Sequence, residues 1–135
     1  MIRYADKNDF VILRKWDKHI TEAELMNAIY QKRVIILFDH DHIVGWLRFH
    51  LFWDHIPFIN MLYILPYDIR KGYGKKLIDF WEKEMLKKEY TMVLTSTLST
   101  EQAQFFYRKS GYVDCGSLLL PNEPLEIFLL KDFRR

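Results

Sequence analysis

The sequence predicts an α/β fold, α+β in some schemes, in which a mixed and largely antiparallel central sheet is flanked by helices. The first observation is that β-branched and aromatic runs such as "RVIILF" and "IVGWLRFHLF" alternate with segments whose apolar residues recur at helical spacing. The second is that three such runs follow one another with no helical segment between them, which is typical of adjacent antiparallel strands. We therefore predict the order β-α-α-β-β-β-α-β-α-β-β, with six or seven strands and about four helices.

A short strand at Ile2–Tyr4 is followed by two helices. Asn8 or Asp9 is the expected N-cap of the first helix, because either side chain can accept a hydrogen bond from an amide of the first turn. The second helix, in "TEAELMNAIYQK", opens with a capping box of Thr21 and Glu24, and its apolar residues share one face.

Three consecutive strands come next. "RVIILF" and "IVGWLRFHLF" flank the polar turn "DHDH" and are expected to form a hairpin, in which Gly45 marks a bulge or a close backbone approach. The third run, "FINMLYIL", ends at Pro66. A helix with one buried apolar side is predicted from Gly72 to Lys88.

The last third of the chain alternates between strand and helix. After the strand "YTMVLTST", a helix is expected to be capped at Ser99 or Thr100 and to turn Ala103, Phe106 and Tyr107 inward. "GYVDCG" and "LEIFLL" are the final two strands.

Length and composition predict one domain inside the cell. The 135 residues are 50% apolar and 16% aromatic, enough for one sizeable core, so we predict a single domain over residues 1–135. A net charge of +2 gives little general attraction for nucleic acid or acidic membranes. No apolar run approaches the roughly 20 residues of a membrane span, and the first residues lack a secretory apolar core. We expect a cytoplasmic protein with neither a nucleic-acid nor a membrane partner.

The single cysteine and the histidines add little chemistry. Cys115 cannot form an internal disulfide and is expected to be buried and structural, with a reactive thiol as the alternative. His40 with His42, or His50 with His55, lack the number of ligands that a metal site needs. We expect no metal.

The stretch "IRKGYGKKLIDFW", residues 69–81, places two glycines one residue apart at the start of a helix. Amides at a helix start lack intrahelical partners and the helix dipole favours negative charge there, so the stretch can hold a phosphate group. The alternative is a tight turn without a ligand. The stretch is neither a Walker loop, since no Gly-Lys-Ser/Thr follows, nor a complete dinucleotide fingerprint, since the third glycine is missing.

Two motifs at their expected separation favour the phosphate interpretation. "YILPYDIRKGYGKKLIDF" matches the pattern Pro-x-x-(Gln/Arg)-x-x-Gly-x-(Gly/Ala) in its strand, its proline, its two glycines and the Lys-Lys-Leu-Ile that follows. "TEQAQFFYRKSGY" matches a second pattern, an Asn-type residue, then Ala, then Phe-Tyr-x-x-x-Gly-Phe, at Ala103, Phe106, Tyr107, Gly111 and Tyr112. With these motifs and this order of elements, the chain resembles the GNAT superfamily of acyl-CoA-dependent N-acyltransferases over essentially its whole length. The resemblance implies that amides at the helix start hold the pyrophosphate of coenzyme A.

The resemblance also implies which residues contact acetyl-CoA, the expected co-substrate. They lie on the strand before the proline, on the glycine loop and on the later helix. These residues are Leu62, Tyr63, Ile64, Ile69, Arg70, Lys71, Gly72, Tyr73, Gly74, Lys75, Thr100, Ala103 and Tyr107.

Four positions depart from the family pattern. Ile69 stands where the family usually has Gln or Arg, and Arg70, where glycine is common, can take over the charge contact. Thr100 replaces the frequent Asn near the later helix, and Phe58 occupies the position of the strand glutamate that is the general base in some members. Binding through backbone amides tolerates the first two changes, whereas the missing carboxylate removes the base that those members use.

The implied reaction is direct attack of an amine on the thioester in a ternary complex. A backbone NH in the stretch Leu62 to Ile64, assigned to Leu62, would polarise the thioester carbonyl, and Tyr107 would protonate the departing sulfur. A phenol suits this role because its ordinary pKa of about 10 keeps it protonated at neutral pH. The alternative for Tyr107 is a core tyrosine with a satisfied hydroxyl.

A histidine is the candidate base that deprotonates the amine. His50, Asp54 and His55 cluster in "RFHLFWDHIPF", and His55 is the residue assigned because histidine titrates in the right range. The alternative is an exposed or structural histidine, with water removing the proton.

The acceptor is expected to be a primary amine of a small molecule or a protein, of unknown identity. In this family it lies beside the early helices, and this chain carries aromatic residues there that form either an acceptor wall or core: Trp16, Trp46, Phe49, Phe52 and Trp53. The alternatives to an acetyltransferase are a non-catalytic acyl-CoA-binding regulatory module of the same fold and a scaffold protein that binds no nucleotide. The oligomeric state is open, with a homodimer as the alternative to a monomer.

Overall fold

A computed structural model describes residues 1–134 and confirms the predicted α/β fold class and element order. The strands are β1 (Ile2–Tyr4), β2 (Val34–Asp39), β3 (His42–Phe52), β4 (Ile56–Ile64), β5 (Met92–Leu98), β6 (Val113–Leu118) and β7 (Glu126–Asp132). The helices are α1 (Phe10–Trp16), α2 (Glu22–Tyr30), α3 (Tyr73–Lys87) and α4 (Ala103–Lys109). Within the described residues the strands form one 7-stranded sheet, ordered β1-β2-β3-β4-β5-β7-β6. β4 and β5 run parallel, whereas β1–β2, β2–β3, β5–β7 and β6–β7 are antiparallel.

The chain divides into two compact units. The first comprises Met1–His50 and Met61–Trp81, and the second comprises Leu51–Asn60 and the chain from Glu82 onward. The early helices and the glycine stretch therefore belong to the first unit, while β5, β6, β7 and α4 belong to the second.

In the first unit, α1 and α2 bury one apolar face each against β2 and β3. Burying a large apolar side chain contributes about 1.5–3 kcal/mol relative to leaving it exposed. The Oγ1 atom of Thr21 accepts a hydrogen bond from the Glu24 amide at 3.2 Å, which confirms Thr21 as the N-cap of α2 and one of the two bonds of the predicted capping box. The buried cluster consists of Ala5, Leu13, Leu25, Ile29, Val34, Ile36, Trp46 and Leu65.

The start of α1 differs from the prediction. Asp9 occupies the N-cap position, but its side chain does not cap the helix. It pairs with Arg3 instead, through hydrogen bonds of 2.7 and 2.9 Å. Asp6 caps a 3-10 turn at Lys7–Asp9 by accepting from the Asn8 amide at 2.8 Å, so the helical segment begins earlier than the apolar pattern indicates.

Gly45 meets both expectations for a strand glycine. The register of β2 with β3 shifts between Leu37 and Phe38, opposite Gly45. A Cβ atom on Gly45 would lie 2.6 Å from the carbonyl oxygen of Tyr63 and 2.6 Å from Cδ1 of Ile64. A side chain here would therefore push the end of β4 away from β3.

A buried ion pair that the apolar pattern did not reveal fixes the loop after α1. Asp17 and Arg48 are 3% and 6% exposed, and the Arg48 Nε atom donates to Asp17 Oδ2 at 2.9 Å. The indole nitrogen of Trp46 donates to the same oxygen at 3.3 Å. Trp46 is 1% exposed, so it is a core residue and not part of an acceptor wall.

In the second unit, β7 lies between β5 and β6, and β6 is at the edge of the sheet. The register of β6 with β7 shifts between Asp114 and Gly116, which places Cys115 in a bulge. Cys115 is exposed, so the expectation of a buried cysteine is wrong. An edge strand has a neighbour on one side only, and neither composition nor spacing reveals which strand that is.

Two predictions about α4 are also wrong. Ala103 is exposed, and Gln104 takes the buried place instead. The Gln104 amide donates to the Ser99 carbonyl at 2.8 Å, which compensates for its burial. The N-cap position is Gln102, without a side-chain cap, and not Ser99 or Thr100.

Candidate active site

The glycine loop, residues 65–72, joins β4 to α3 in the first unit. Gly72 has a φ of +80°, a left-handed conformation that residues with side chains rarely adopt. Nothing lies within 4 Å of the position where its Cβ would stand. The backbone conformation therefore favours glycine at this position, and the space in front of it is open.

The start of α3 offers unpaired amides. The amide of Lys76 donates to the Gly72 carbonyl at 3.2 Å, and it is the first donor of the helical ladder. The amides of Tyr73, Gly74 and Lys75 precede it, so helix geometry gives them no intrahelical acceptor. The helix dipole adds partial positive charge at the same end. This end of α3 can bind an anion of the phosphate type.

The charged side chains of the glycine loop and of the first turn of α3 contribute less positive charge than their number suggests. The Nζ atom of Lys71 lies 3.6 Å from Asp68, and that of Lys75 lies 3.0 Å from Asp79. These carboxylates partly neutralise both lysines. Arg70 has a φ of +68°, so this chain carries an arginine in a conformation that favours glycine.

The residues predicted to contact the thioester lie in the last three positions of β4. The register of β4 with β5 reaches Ile59 opposite Thr95, and residues 62–64 lie beyond it on β4. Tyr63 is 40% exposed, and its ring centroid lies 5.0 Å from that of Trp46. Leu62 and Ile64 are half-buried, as is Tyr73 at the start of α3, whereas Ile69 in the glycine loop is exposed.

Tyr107 is the central residue of the second unit's candidate site. It is 4% exposed, and its hydroxyl hydrogen-bonds to Thr95 of β5. Burial, the largest cause, raises the pKa of Tyr107 to about 12, and Glu101 acts in the same direction while the Thr95 hydrogen bond opposes both. The phenol is therefore protonated at neutral pH. A protonated phenol is available as a proton donor, and a core tyrosine would be in the same state.

A buried carboxylate holds the segment that follows α4. Glu82 is 8% exposed and accepts from the Tyr112 hydroxyl at 2.8 Å and from the Lys131 ammonium at 2.8 Å. Lys131 also donates to the Ser110 carbonyl at 3.0 Å. Sequence reasoning missed this cluster, although one signal was present: Glu82 falls four residues after Ile78, on the apolar stripe of α3.

The sequence model of the Acetyltransferase (GNAT) family matches residues 5–112, a range that contains both motifs. This chain belongs to the GNAT acetyltransferase family. A search of curated proteins by sequence found no match.

Solved structures confirm the fold of this GNAT acetyltransferase. An N-acetyltransferase from Staphylococcus aureus Mu50 superposes with a TM-score of 0.84 at 18% identity, covering 100% of this chain and 98% of its own. The PaiA N-acetyltransferase from Thermoplasma acidophilum in complex with coenzyme A gives 0.81 at 17% identity, with 98% of both chains covered. A GNAT-family acetyltransferase from Bacillus cereus ATCC 10987 gives 0.79 at 19% identity, covering 98% of this chain and 96% of its own.

Phe58, which the resemblance aligns with the strand glutamate of some family members, is buried in this GNAT acetyltransferase. Phe58 is 8% exposed, and its ring centroid lies 5.9 Å from that of Phe52 and 5.7 Å from that of Phe128. The surroundings of Phe58 are therefore aromatic and apolar.

The remaining predicted site residues of the second unit are at the surface. Thr100 and Ala103 are both exposed near the start of α4. His55 is exposed in the turn between β3 and β4, where its Nδ1 atom lies 2.8 Å from the Trp53 carbonyl. His55 also lines a cavity of about 350 Å³ with residues 88–92, at the start of β5.

Neither a metal cluster nor a membrane helix occurs in the part of the chain that the structure describes. Within residues 1–134, no three His, Cys, Asp or Glu side chains are grouped so that they could hold a metal ion. None of the helices in the same range has both the length and the apolar character needed to cross a membrane.

Proposed function

We propose that this protein is an N-acetyltransferase that transfers an acetyl group from acetyl-CoA to a primary amine of a small molecule or a protein. The observation that carries the proposal is the start of α3, where Gly72 at a φ of +80° precedes three amides that lack intrahelical acceptors. Family membership supplies the reaction class. Two structural neighbours support the cofactor, since PaiA from Thermoplasma acidophilum and the NatC complex were both solved with coenzyme A.

In this proposal, the amides of Tyr73, Gly74 and Lys75 bind the pyrophosphate of acetyl-CoA. Backbone NH groups suit a phosphate because they are fixed in direction and carry no side-chain entropy cost. The other cofactor contacts proposed in this unit are those of residues 62–64 and 69–72. Thr100, Ala103 and Tyr107 complete the set.

The proposed chemistry is direct transfer in a ternary complex. The amine nitrogen attacks the thioester carbonyl carbon, the Leu62 NH stabilises the negative charge that develops on the carbonyl oxygen, and the C–S bond breaks. Tyr107 gives its proton to the leaving thiolate. The amine loses one proton to water or to His55, and the tyrosinate regains its proton from solvent, so protons balance over one turnover.

A non-catalytic acyl-CoA-binding module is the second candidate. It is favoured by Phe58 and its aromatic neighbours at the position of the family's glutamate, and by the Tyr107 hydroxyl being engaged by Thr95. Such a module would keep the anion site of α3 and release no thiol.

Two measurements separate the candidates. Calorimetry with coenzyme A is expected to show saturable binding, and a panel of primary amines with acetyl-CoA is expected to release free thiol in proportion to acetylated amine. Binding without thiol release across small-molecule and peptide amines would support the binding module. No binding would reject both candidates and leave a scaffold role.

A further inference from the structure

The cluster of Glu82, Tyr112 and Lys131 in the second unit has no part in the reaction described above. Tyr112 is 2% exposed and Glu82 is 8% exposed, and the Tyr112 hydroxyl donates a hydrogen bond to the Glu82 carboxylate at 2.8 Å. Burying a carboxylate costs free energy unless it is fully paired. Here the cost is offset by two donors, one of them the Lys131 ammonium at 2.8 Å.

Two of these residues, Tyr112 and Lys131, contact the segment that carries Tyr107. The ring of Tyr112 meets the ring of Tyr107 edge to face, with centroids 5.4 Å apart. The Tyr112 amide donates to the Tyr107 carbonyl at 3.0 Å. Lys131 donates to the carbonyl of Ser110, the residue at the C-cap of α4. Tyr107 is therefore held from its C-terminal side by groups that converge on one carboxylate.

We propose that Glu82 is a positioning residue: through Tyr112 and Lys131 it fixes the end of α4 and so sets where the Tyr107 hydroxyl stands. This inference rests on the proposed function, in which Tyr107 is the proton donor. Glu82 touches no substrate and takes no proton in the reaction. Its role is to keep the donor ring in one place, because a donor displaced by a fraction of an ångström transfers its proton less well.

Several other groups face Tyr107. Thr95 bonds its hydroxyl, Glu101 acts on it electrostatically, and Phe106 packs edge to face at 5.3 Å between centroids. These contacts do not involve Glu82 and are expected to remain when Glu82 is substituted. A change in Tyr107 after that substitution is therefore attributed to the lost bonds with Tyr112 and Lys131.

The test compares Glu82→Gln with Glu84→Gln on the same helix. Glu84 makes a surface pair with Lys87 at 3.1 Å, so the control removes one carboxylate charge from α3 outside the cluster. Glu82→Gln is expected to lower kcat about tenfold, with the amine KM and the affinity for coenzyme A changed by less than about twofold. Glu84→Gln is expected to change none of the three.

A readout that needs no turnover accompanies the kinetics. Carbon-13 NMR of labelled tyrosine, assigned with Tyr107→Phe, follows the ionisation of the Tyr107 ring at about pH 10.5, where an ordinary tyrosine is mostly ionised. Tyr107 is expected to stay protonated in the unmodified protein and in Glu84→Gln. In Glu82→Gln a looser ring admits water, so partial ionisation is expected.

Each outcome decides the proposal. A lower kcat with unchanged KM and increased ionisation supports it, whereas unchanged kcat and ionisation overturn it. A lower kcat that is accompanied by weaker coenzyme A binding and lower thermal stability also overturns it, because this combination indicates a general structural role. If the unmodified protein shows no turnover, the proposed function fails, and the NMR comparison alone decides positioning. If Glu82→Gln does not fold, the same kinetic and NMR measurements are made on Tyr112→Phe. This variant removes only the hydroxyl that is bonded to Glu82.

Discussion

The glycine loop and the Tyr107 site are built from different parts of the polypeptide. The glycine loop and the first turn of α3 present backbone amides, and their charged side chains are exposed or paired at the surface, as Lys75 is with Asp79. The Tyr107 site depends on one side-chain hydroxyl, and burial raises the pKa of this hydroxyl to about 12. A site made of amides responds to changes in backbone conformation, whereas a site made of a hydroxyl responds to the loss of one atom.

This difference explains why the chain can depart from the family pattern at some positions of the glycine loop. Ile69 and Arg70 replace common residues of the family pattern, but neither replacement removes an amide from the start of α3. At Tyr107 no other natural side chain offers a phenol in the same place. We therefore expect the two sites to respond in opposite ways to conservative and to conformational substitutions.

The largest effect is expected from Tyr107→Phe. Losing the proposed proton donor should lower kcat about 100-fold, the lower end of general acid catalysis, with coenzyme A affinity unchanged in calorimetry. Tyr30→Phe is the control, because Tyr30 is 89% exposed and lies outside both sites. If Tyr107→Phe turns over at the original rate, Tyr107 is a core residue and another group protonates the sulfur.

Gly72→Val should act on binding instead of chemistry. A β-branched residue at a φ of +80° carries about 1–3 kcal/mol of strain, so the dissociation constant for coenzyme A is expected to rise at least about tenfold. Gly116→Val is the matched control, since nothing lies within 4 Å of its Cβ position either and its φ is not in the left-handed region. Equal affinity of Gly72→Val and Gly116→Val would remove the anion site from the start of α3.

The features that could be predicted from the sequence are those set by local pattern. The element order followed from apolar spacing, and the two motifs placed the glycine loop and Tyr107 on the correct elements. The errors at Gln104 and Cys115 have non-local causes. Gln104 is buried because its amide reaches the Ser99 carbonyl, and Cys115 is exposed because β6 is an edge strand, and neither fact appears in hydrophobic periodicity.

The partners of the buried charged residues could not be predicted from local sequence pattern either. Glu82 bonds Lys131 across 49 positions of sequence, and Asp17 bonds Arg48 across 31. A charged residue on an apolar stripe indicates that a partner exists, but sheet topology decides which residue it is. For this reason the support of Tyr107 became visible only in the structure.

A smaller effect is expected at alkaline pH. The pKa of Tyr107 is about 12 in the folded protein and about 10 when unfolded, so the folded state holds the proton more tightly. The stability from this group is present below pH 10 and is lost as the pH rises from about 10 to 12. Urea unfolding at about pH 9 and pH 11 should show a smaller loss for Tyr107→Phe than for the unmodified protein. Equal losses would mean that the hydroxyl is solvated.

The smallest effect is expected at Arg70, and it tests whether the glycine loop binds through its backbone alone. Arg70→Ala removes the guanidinium and keeps the strain of a φ of +68°, whereas Arg70→Gly removes both. Both variants should bind coenzyme A within about threefold of the unmodified protein, and Arg70→Gly should be more stable than Arg70→Ala by up to about 1 kcal/mol, because glycine adopts this conformation without strain. Calorimetry and urea unfolding check the two parts separately. A tenfold loss of affinity in both variants would assign a phosphate contact to the guanidinium, and the glycine loop would then depend on a side chain as the Tyr107 site does.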